Sequence, residues 1–136
     1  MNAMDSDRIK QQIRKNAAEI VQLNDRRKQA FLSRDLSPEK WSEWYQASEA
    51  LSAGFHALAF PGGFVGAYDR IASGAPLAME AAICFLELRP FFYRSGYMYR
   101  DIFRRCKHAP LSPEQAARFE VVKERLAEWK RRKRSQ

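Results

Sequence analysis

The sequence contains few of the residues on which most enzymes and metal sites depend. Only two cysteines and two histidines occur among its 136 residues. No Cys-x-x-Cys or His-Glu-x-x-His spacing is present, and no serine lies in a nucleophile motif. We therefore predict no catalytic residue, no metal site and no cofactor, and we interpret the chain as a non-enzymatic binding protein.

Long apolar runs are also scarce. The most apolar stretch, residues 75–88, is shorter than the ~20 residues that a membrane-spanning helix needs. The N-terminal residues lead into charged residues without the apolar segment of a secretory signal. Cys84 and Cys106 are too few for a disulfide framework. We therefore expect a protein of the reducing cytoplasm without a transmembrane segment.

The stretch 75–88 predicts the centre of the fold. It is apolar on nearly every side of a helix, and only Glu80 and Glu87 interrupt it. A helix without a polar face must be surrounded by other elements. We therefore predict an all-α, single-domain bundle of five or six helices packed around this central helix.

The other helices follow from capping residues and from apolar spacing. Ser37-Pro38 and Ser112-Pro113 are typical helix starts, and Gln115 completes a capping box with Ser112. We assign Ser95 as the cap of a helix over residues 97–108. Two further helices are predicted over 5–32 and 65–72, and the last helix ends near residue 133. The helical domain spans residues 1–129, and residues 130–136 form a basic C-terminal tail.

The first predicted helix carries an apolar seam with heptad-like spacing. Polar Asn16 lies within the seam, and Arg27 interrupts it. We favour packing of this seam inside the chain's own bundle. The alternative is an interface for a homodimer or for another protein partner, formed by Ile9, Ile13, Asn16, Ile20 and Leu23.

An aromatic stripe marks the second helix. Its members recur at helical spacing, which is more typical of a core than of a ligand site. His56 lies beside the stripe without a second ligand nearby, so we interpret it as a packed or surface histidine. The stripe consists of Trp41, Trp44, Tyr45, Ser48, Leu51, Phe55 and Leu58.

Charge is distributed unevenly along the chain. Residues 89–136 contain 14 of the 24 Lys and Arg residues but only 5 of the 16 Asp and Glu residues. The net charge of +8 therefore arises entirely in the last third. Such asymmetry indicates a polyanionic partner.

Within this basic third, Arg100, Arg104 and Lys107 recur at i, i+4 and i+7, which places them on one helix face. The repulsion between these like charges is reduced when they bind phosphates. Aromatic residues between Phe91 and Tyr99 alternate with arginines, and we favour a role in closing the core over a role in stacking on bases. The predicted nucleic-acid-binding residues are Arg94, Arg100, Arg104, Lys107, Lys130, Arg131 and Arg132.

The function predicted from these patterns is binding to nucleic-acid phosphate with weak sequence specificity. Reading of a DNA groove by the last helix is disfavoured, because Glu114, Glu120, Glu124 and Glu128 on that helix would repel phosphates. The alternative is a protein-interaction domain that uses the seam of the first or last helix. A third hypothesis is a peripheral membrane role for the last helix with Trp129 and its basic tail.

Overall fold

The computed structural model describes residues 3–136, with side-chain surroundings from residue 5 onward. Over that range the secondary structure consists of six helices and no strand, which confirms the predicted all-α bundle. The helices are α1 (Ala3–Leu32), α2 (Pro38–Leu58), α3 (Ala67–Ala72), α4 (Pro76–Leu88), α5 (Ser95–Cys106) and α6 (Pro113–Arg134).

Helix α4 is the centre of the fold. All nine residues from Ala78 to Leu86 are buried, and α4 packs against α1, α3, α5 and α6. Ile83 and Phe85 are completely inaccessible to solvent. Since a fully buried side chain of this size contributes ~1.5–3 kcal/mol, α4 supplies much of the hydrophobic stabilisation. The prediction of a central helix over residues 75–88 is confirmed.

The seam of α1 lies inside the bundle, between α2 and α4. Ile13 and Ile20 are buried in the core, and Ile9 and Leu23 are partly buried against it. Asn16 is buried as well, and its side-chain oxygen accepts a hydrogen bond from Gln12 at 2.7 Å. The five proposed interface residues thus pack within the chain. A partner helix could reach the buried members, Ile13, Asn16 and Ile20, only if α1 left the bundle.

The aromatic stripe of α2 is core at one end only. Leu51 and Phe55 are buried, whereas Trp41 and Tyr45 are 48% and 50% exposed. These two rings stack on each other at 5.6 Å near the turn between α1 and α2. The prediction that the whole stripe is core was therefore wrong for Trp41 and Tyr45, because α2 packs mainly against α1 and these two rings are not covered there.

The helix ends agree with the capping residues in two of three places. Ser37 accepts a hydrogen bond from the Lys40 amide, and Ser112 forms the predicted capping box with Gln115. Ser95 is not a cap, because α5 begins at Ser95 itself. Its hydroxyl instead accepts a hydrogen bond from the amide of Phe92 at 3.0 Å.

Candidate nucleic-acid interface

The predicted basic stripe lies on the exposed face of α5. Met98, Ile102 and Cys106 occupy the opposite face and are buried against the rest of the bundle. Because these three residues anchor α5, helical periodicity turns Arg100, Arg104 and Lys107 outward, and all three are exposed.

The stripe lines a groove between α5 and α6. Arg100, Arg104 and Lys107 line it on α5, and Lys130 lines it on α6. The groove has a volume of about 350 Å³. Four of the seven predicted residues, distant in sequence, therefore share one surface.

Aromatic side chains contribute to this groove. Tyr99 and Phe103 line it and stack on each other at 6.3 Å. Phe103 also packs edge-on against the buried Phe119 of α6 at 5.1 Å, which joins the two helices beneath the groove. Both rings are partly buried and pack against the core, so one side of each remains available to the groove.

Arg89 is a member of this surface that the sequence interpretation missed. It ends α4 in the left-handed conformation, with φ of 48°. Its guanidinium lies 4.9 Å from the ring centroid of Tyr99 and 4.8 Å from that of Trp129. The position of Arg89 between two aromatic rings depends on the packing of both α5 and α6 against α4.

A second groove extends the basic surface toward the N-terminal end of α5. It has a volume of about 620 Å³ and is lined by Arg94 together with Arg89, Tyr99 and Arg100. The last three residues also line the first groove, so the two grooves adjoin. Arg94 precedes α5 with φ of 66° and is exposed.

The aromatic residues around Arg94 differ in their surroundings. Phe92 is buried, as expected for residues that close the core. Phe91 and Tyr97 are 88% and 65% exposed and line the second groove. The interpretation of this set as core was therefore wrong for Phe91 and Tyr97, which offer exposed rings beside arginines.

Among the described residues, most of the cations along the grooves form no ion pair with a carboxylate. Arg100 lies 3.8 Å from Asp101, its neighbour in the chain. Within the described part of the chain, no carboxylate forms an ion pair with Arg104, Lys107 or Lys130. The groove between α5 and α6 therefore carries an uncompensated positive charge.

The basic run at the C-terminus continues α6 to Arg134. Lys130 faces the groove, whereas Arg131 and Arg132 are exposed beyond it. Arg132 forms an ion pair with Glu128 at 3.5 Å. Residues 130–136 are thus largely the exposed end of a helix.

One basic residue of the last third points inward. Arg118 forms an ion pair at 3.8 Å with the exposed Glu114, one turn earlier on α6. It also donates to Glu80 at 2.7 Å and to Glu87 at 2.6 Å. Arg118 was not among the predicted binding residues, and these carboxylate partners remove it from the free positive surface.

The two cysteines have the properties of core residues. Both are buried and free. Burial raises the pKa of the Cys106 thiol to about 12. Burial and the nearby Glu80 carboxylate raise the pKa of the Cys84 thiol to about 11. Since the thiolate is the reactive form, both side chains are unreactive at neutral pH.

Two further findings concern the described residues as a whole. No three His, Cys, Asp or Glu side chains among them are grouped so that they could hold a metal ion. None of the helices in the described range combines the length and the apolar character needed to cross a membrane.

The chain was compared with protein-family models, with curated proteins and with solved structures, and no match was found in any of the three comparisons.

Proposed function

We propose that this protein is a non-enzymatic module that binds the phosphate backbone of nucleic acid through the two adjoining grooves beside α5. The observation that carries the proposal is the convergence of Arg100, Arg104 and Lys107 with Lys130 on one surface. The second groove adds Arg94. Arg131 and Arg132 extend the positive charge along α6.

The dimensions of the stripe suit a polyanion. Arg100 to Lys107 covers seven residues, which at the helical rise corresponds to about 10 Å. One nucleic-acid strand carries a charge about every 3.4 Å along a duplex, so the stripe faces about three phosphates. Contacts of this kind recognise the backbone and carry little sequence information, which supports weak specificity.

The salt dependence of binding provides the first test. We expect mixed-sequence oligonucleotides to bind at low salt. Each phosphate contact releases condensed counterions. Contacts by the six cations that line the grooves therefore predict a slope of about −4 to −5 for log affinity against log salt concentration. A slope near zero would contradict backbone binding.

The second test is a charge reversal with a matched control. Arg100→Glu combined with Arg104→Glu should abolish binding and leave the helical circular dichroism unchanged, because both side chains are exposed. Lys15→Glu combined with Arg26→Glu changes the net charge equally at exposed positions of α1 and should retain most of the affinity. If both double variants bind equally, the grooves are not the site and only the net charge matters.

A protein partner or a homodimer remains the alternative proposal, and it has less support. The seam of α1 is occupied by the chain's own core, and the α6 residues Phe119 and Val122 are buried as well. Trp129 is 39% exposed but lies beside the guanidinium of Arg89 and the ammonium of Lys133. We also propose a cytoplasmic location, because the two cysteines are free, as is usual in a reducing compartment.

A further inference from the structure

A separate cleft opens between α2 and α5, next to the second basic groove. Its volume is about 790 Å³, within the range of small-molecule sites. Residues of α1, α2, α3 and α5 line it. Arg94 is the only predicted binding residue that lines the cleft. Binding of the phosphate backbone along α5 therefore does not account for the other residues that line it.

Aromatic rings that hold one another in place form much of the cleft wall. Phe55 packs against Phe64 at 4.9 Å and against Tyr93 at 6.2 Å. Phe64 in turn meets Tyr68 edge-on at 5.6 Å. Since each ring is fixed by a neighbour, the wall is preformed, and its flat surfaces suit a planar ring.

Two guanidinium groups from different parts of the chain meet at the cleft. Arg27 of α1 lies 5.7 Å from the ring centroid of Tyr93, and Arg94 lies 5.0 Å from the same centroid. Arg27 also donates to the side-chain oxygen of Asn24 at 2.9 Å, a neutral partner. Among the described residues neither guanidinium has a carboxylate partner, so both charges remain available to an anion.

Asp101, the one carboxylate among the described residues that line the cleft, lies beside polar groups of the protein itself. Asp101 lies near the Tyr68 hydroxyl, and the Arg100 guanidinium lies 3.8 Å from the Asp101 carboxylate. Burial and Asp101 raise the pKa of Tyr68 to about 12, so the hydroxyl stays protonated at neutral pH. Asp101 therefore orders the wall of the cleft, and the two arginines supply its free charge.

The cleft and the second groove share Arg94 and Tyr97. A strand whose backbone follows the grooves therefore passes the mouth of the cleft. Tyr97 is 65% exposed at this junction, where its ring is open to stacking by a base.

We propose that the cleft binds one unpaired nucleotide, with its base against the aromatic wall and its phosphate beside Arg27 and Arg94. The inference rests on the proposed backbone binding where the nucleotide is part of a strand, and it makes the protein selective for single-stranded nucleic acid. A free mononucleotide offers the same chemistry, and the experiment separates the two sources.

The experiment compares a short single strand with a duplex of the same length at one salt concentration. The single strand should bind about tenfold more tightly, since one stacked base contributes an effect of this order. Ser52→Trp fills the cleft from an exposed position of α2 and should remove this preference while duplex binding persists. Arg27→Gln should act in the same direction, whereas Arg26→Gln, an exposed neighbour with the same charge change, should not.

Equal affinity for single strand and duplex would overturn the inference and leave the proposed function standing, as would a preference that survives Ser52→Trp. If no oligonucleotide binds, the proposed function fails, and titration with adenosine 5′-monophosphate then decides about the cleft alone. Binding of the mononucleotide that is lost in Ser52→Trp supports the site. Absence of binding overturns it.

Discussion

Arg118 and Glu80 are 38 residues apart in sequence, yet the guanidinium of Arg118 donates to the Glu80 carboxylate at 2.7 Å. Glu80 lies in the central helix and is only 3% exposed. Ser6 and Gln115 donate to the same carboxylate at 2.7 and 3.1 Å. Helices α1, α4 and α6 are thus joined at a single buried charge.

Removal of Arg118 should be strongly destabilising. Arg118→Leu leaves the buried Glu80 without its cation, and loss of one partner of a buried pair costs about 3–5 kcal/mol of unfolding free energy. Urea denaturation followed by circular dichroism measures the loss. Arg125→Leu, an exposed position on the same helix, should change stability by less than about 0.5 kcal/mol. Equal losses in the two variants would contradict a buried role for Arg118.

The same carboxylate predicts the dependence of stability on pH. Burial alone would raise the pKa of Glu80, but hydrogen bonds from Ser6, Arg118 and Gln115 outweigh burial and lower it from 4.5 to about 2. A group with a lowered pKa in the folded state stabilises the fold above its unfolded pKa and loses that contribution as pH falls. The unfolding free energy should therefore fall between pH 4.5 and 2, by on the order of 3 kcal/mol from Glu80.

Unfolding by urea across that pH range measures this decrease. Glu87, whose pKa is lowered through Arg118 and Lys10 against the effect of burial, should add to it. In Glu80→Gln the slope against pH should be shallower, because this variant has no charge to titrate at that position. An unchanged slope in Glu80→Gln would show that other groups govern acid unfolding.

Two glycines should respond oppositely to alanine. Gly74 has φ of 84°, and a Cβ there would lie 2.7 Å from the Cγ atom of Pro110. Gly74→Ala should therefore cost at least about 1–2 kcal/mol, the penalty of the left-handed conformation alone. Gly96 is helical with open space around it, so Gly96→Ala should stabilise the protein by about 0.5–1 kcal/mol. Thermal melting of both variants is the measurement, and shifts of the same sign would be inconsistent with these backbone conformations.

Side-chain truncation at the exposed end of α2 should cost less stability than truncation in the core. Leu51 is 3% exposed, so Leu51→Ala should cost about 2–5 kcal/mol. Trp41 is 48% exposed, and Trp41→Ala should cost clearly less despite its larger side chain. Denaturant titration of the two variants compares the losses. A Trp41 variant as unstable as the Leu51 variant would mean that the Trp41 ring is part of the core.

Much of the candidate interface could be predicted because helical periodicity is local. The spacing of Arg100, Arg104 and Lys107 determines that they share one face of α5, whatever surrounds the helix. Lys130 was predicted from charge alone, and only the packing of α6 against the bundle places it in the same groove. Arg89 could not be assigned, because its aromatic neighbours Tyr99 and Trp129 come from two other helices.

The order and extent of the helices followed from the sequence, since apolar spacing and capping residues act within a few positions of one another. The amino-acid pattern also determined that residues 75–88 must be enclosed, because a helix apolar on all sides has no stable exposed arrangement. The tertiary structure decided which charges are internal. It turns Arg118 toward Glu80 and leaves Arg104 exposed, although both are arginines on helices of the basic third. Such choices depend on contacts between helices that are distant in sequence, and no local pattern contains them.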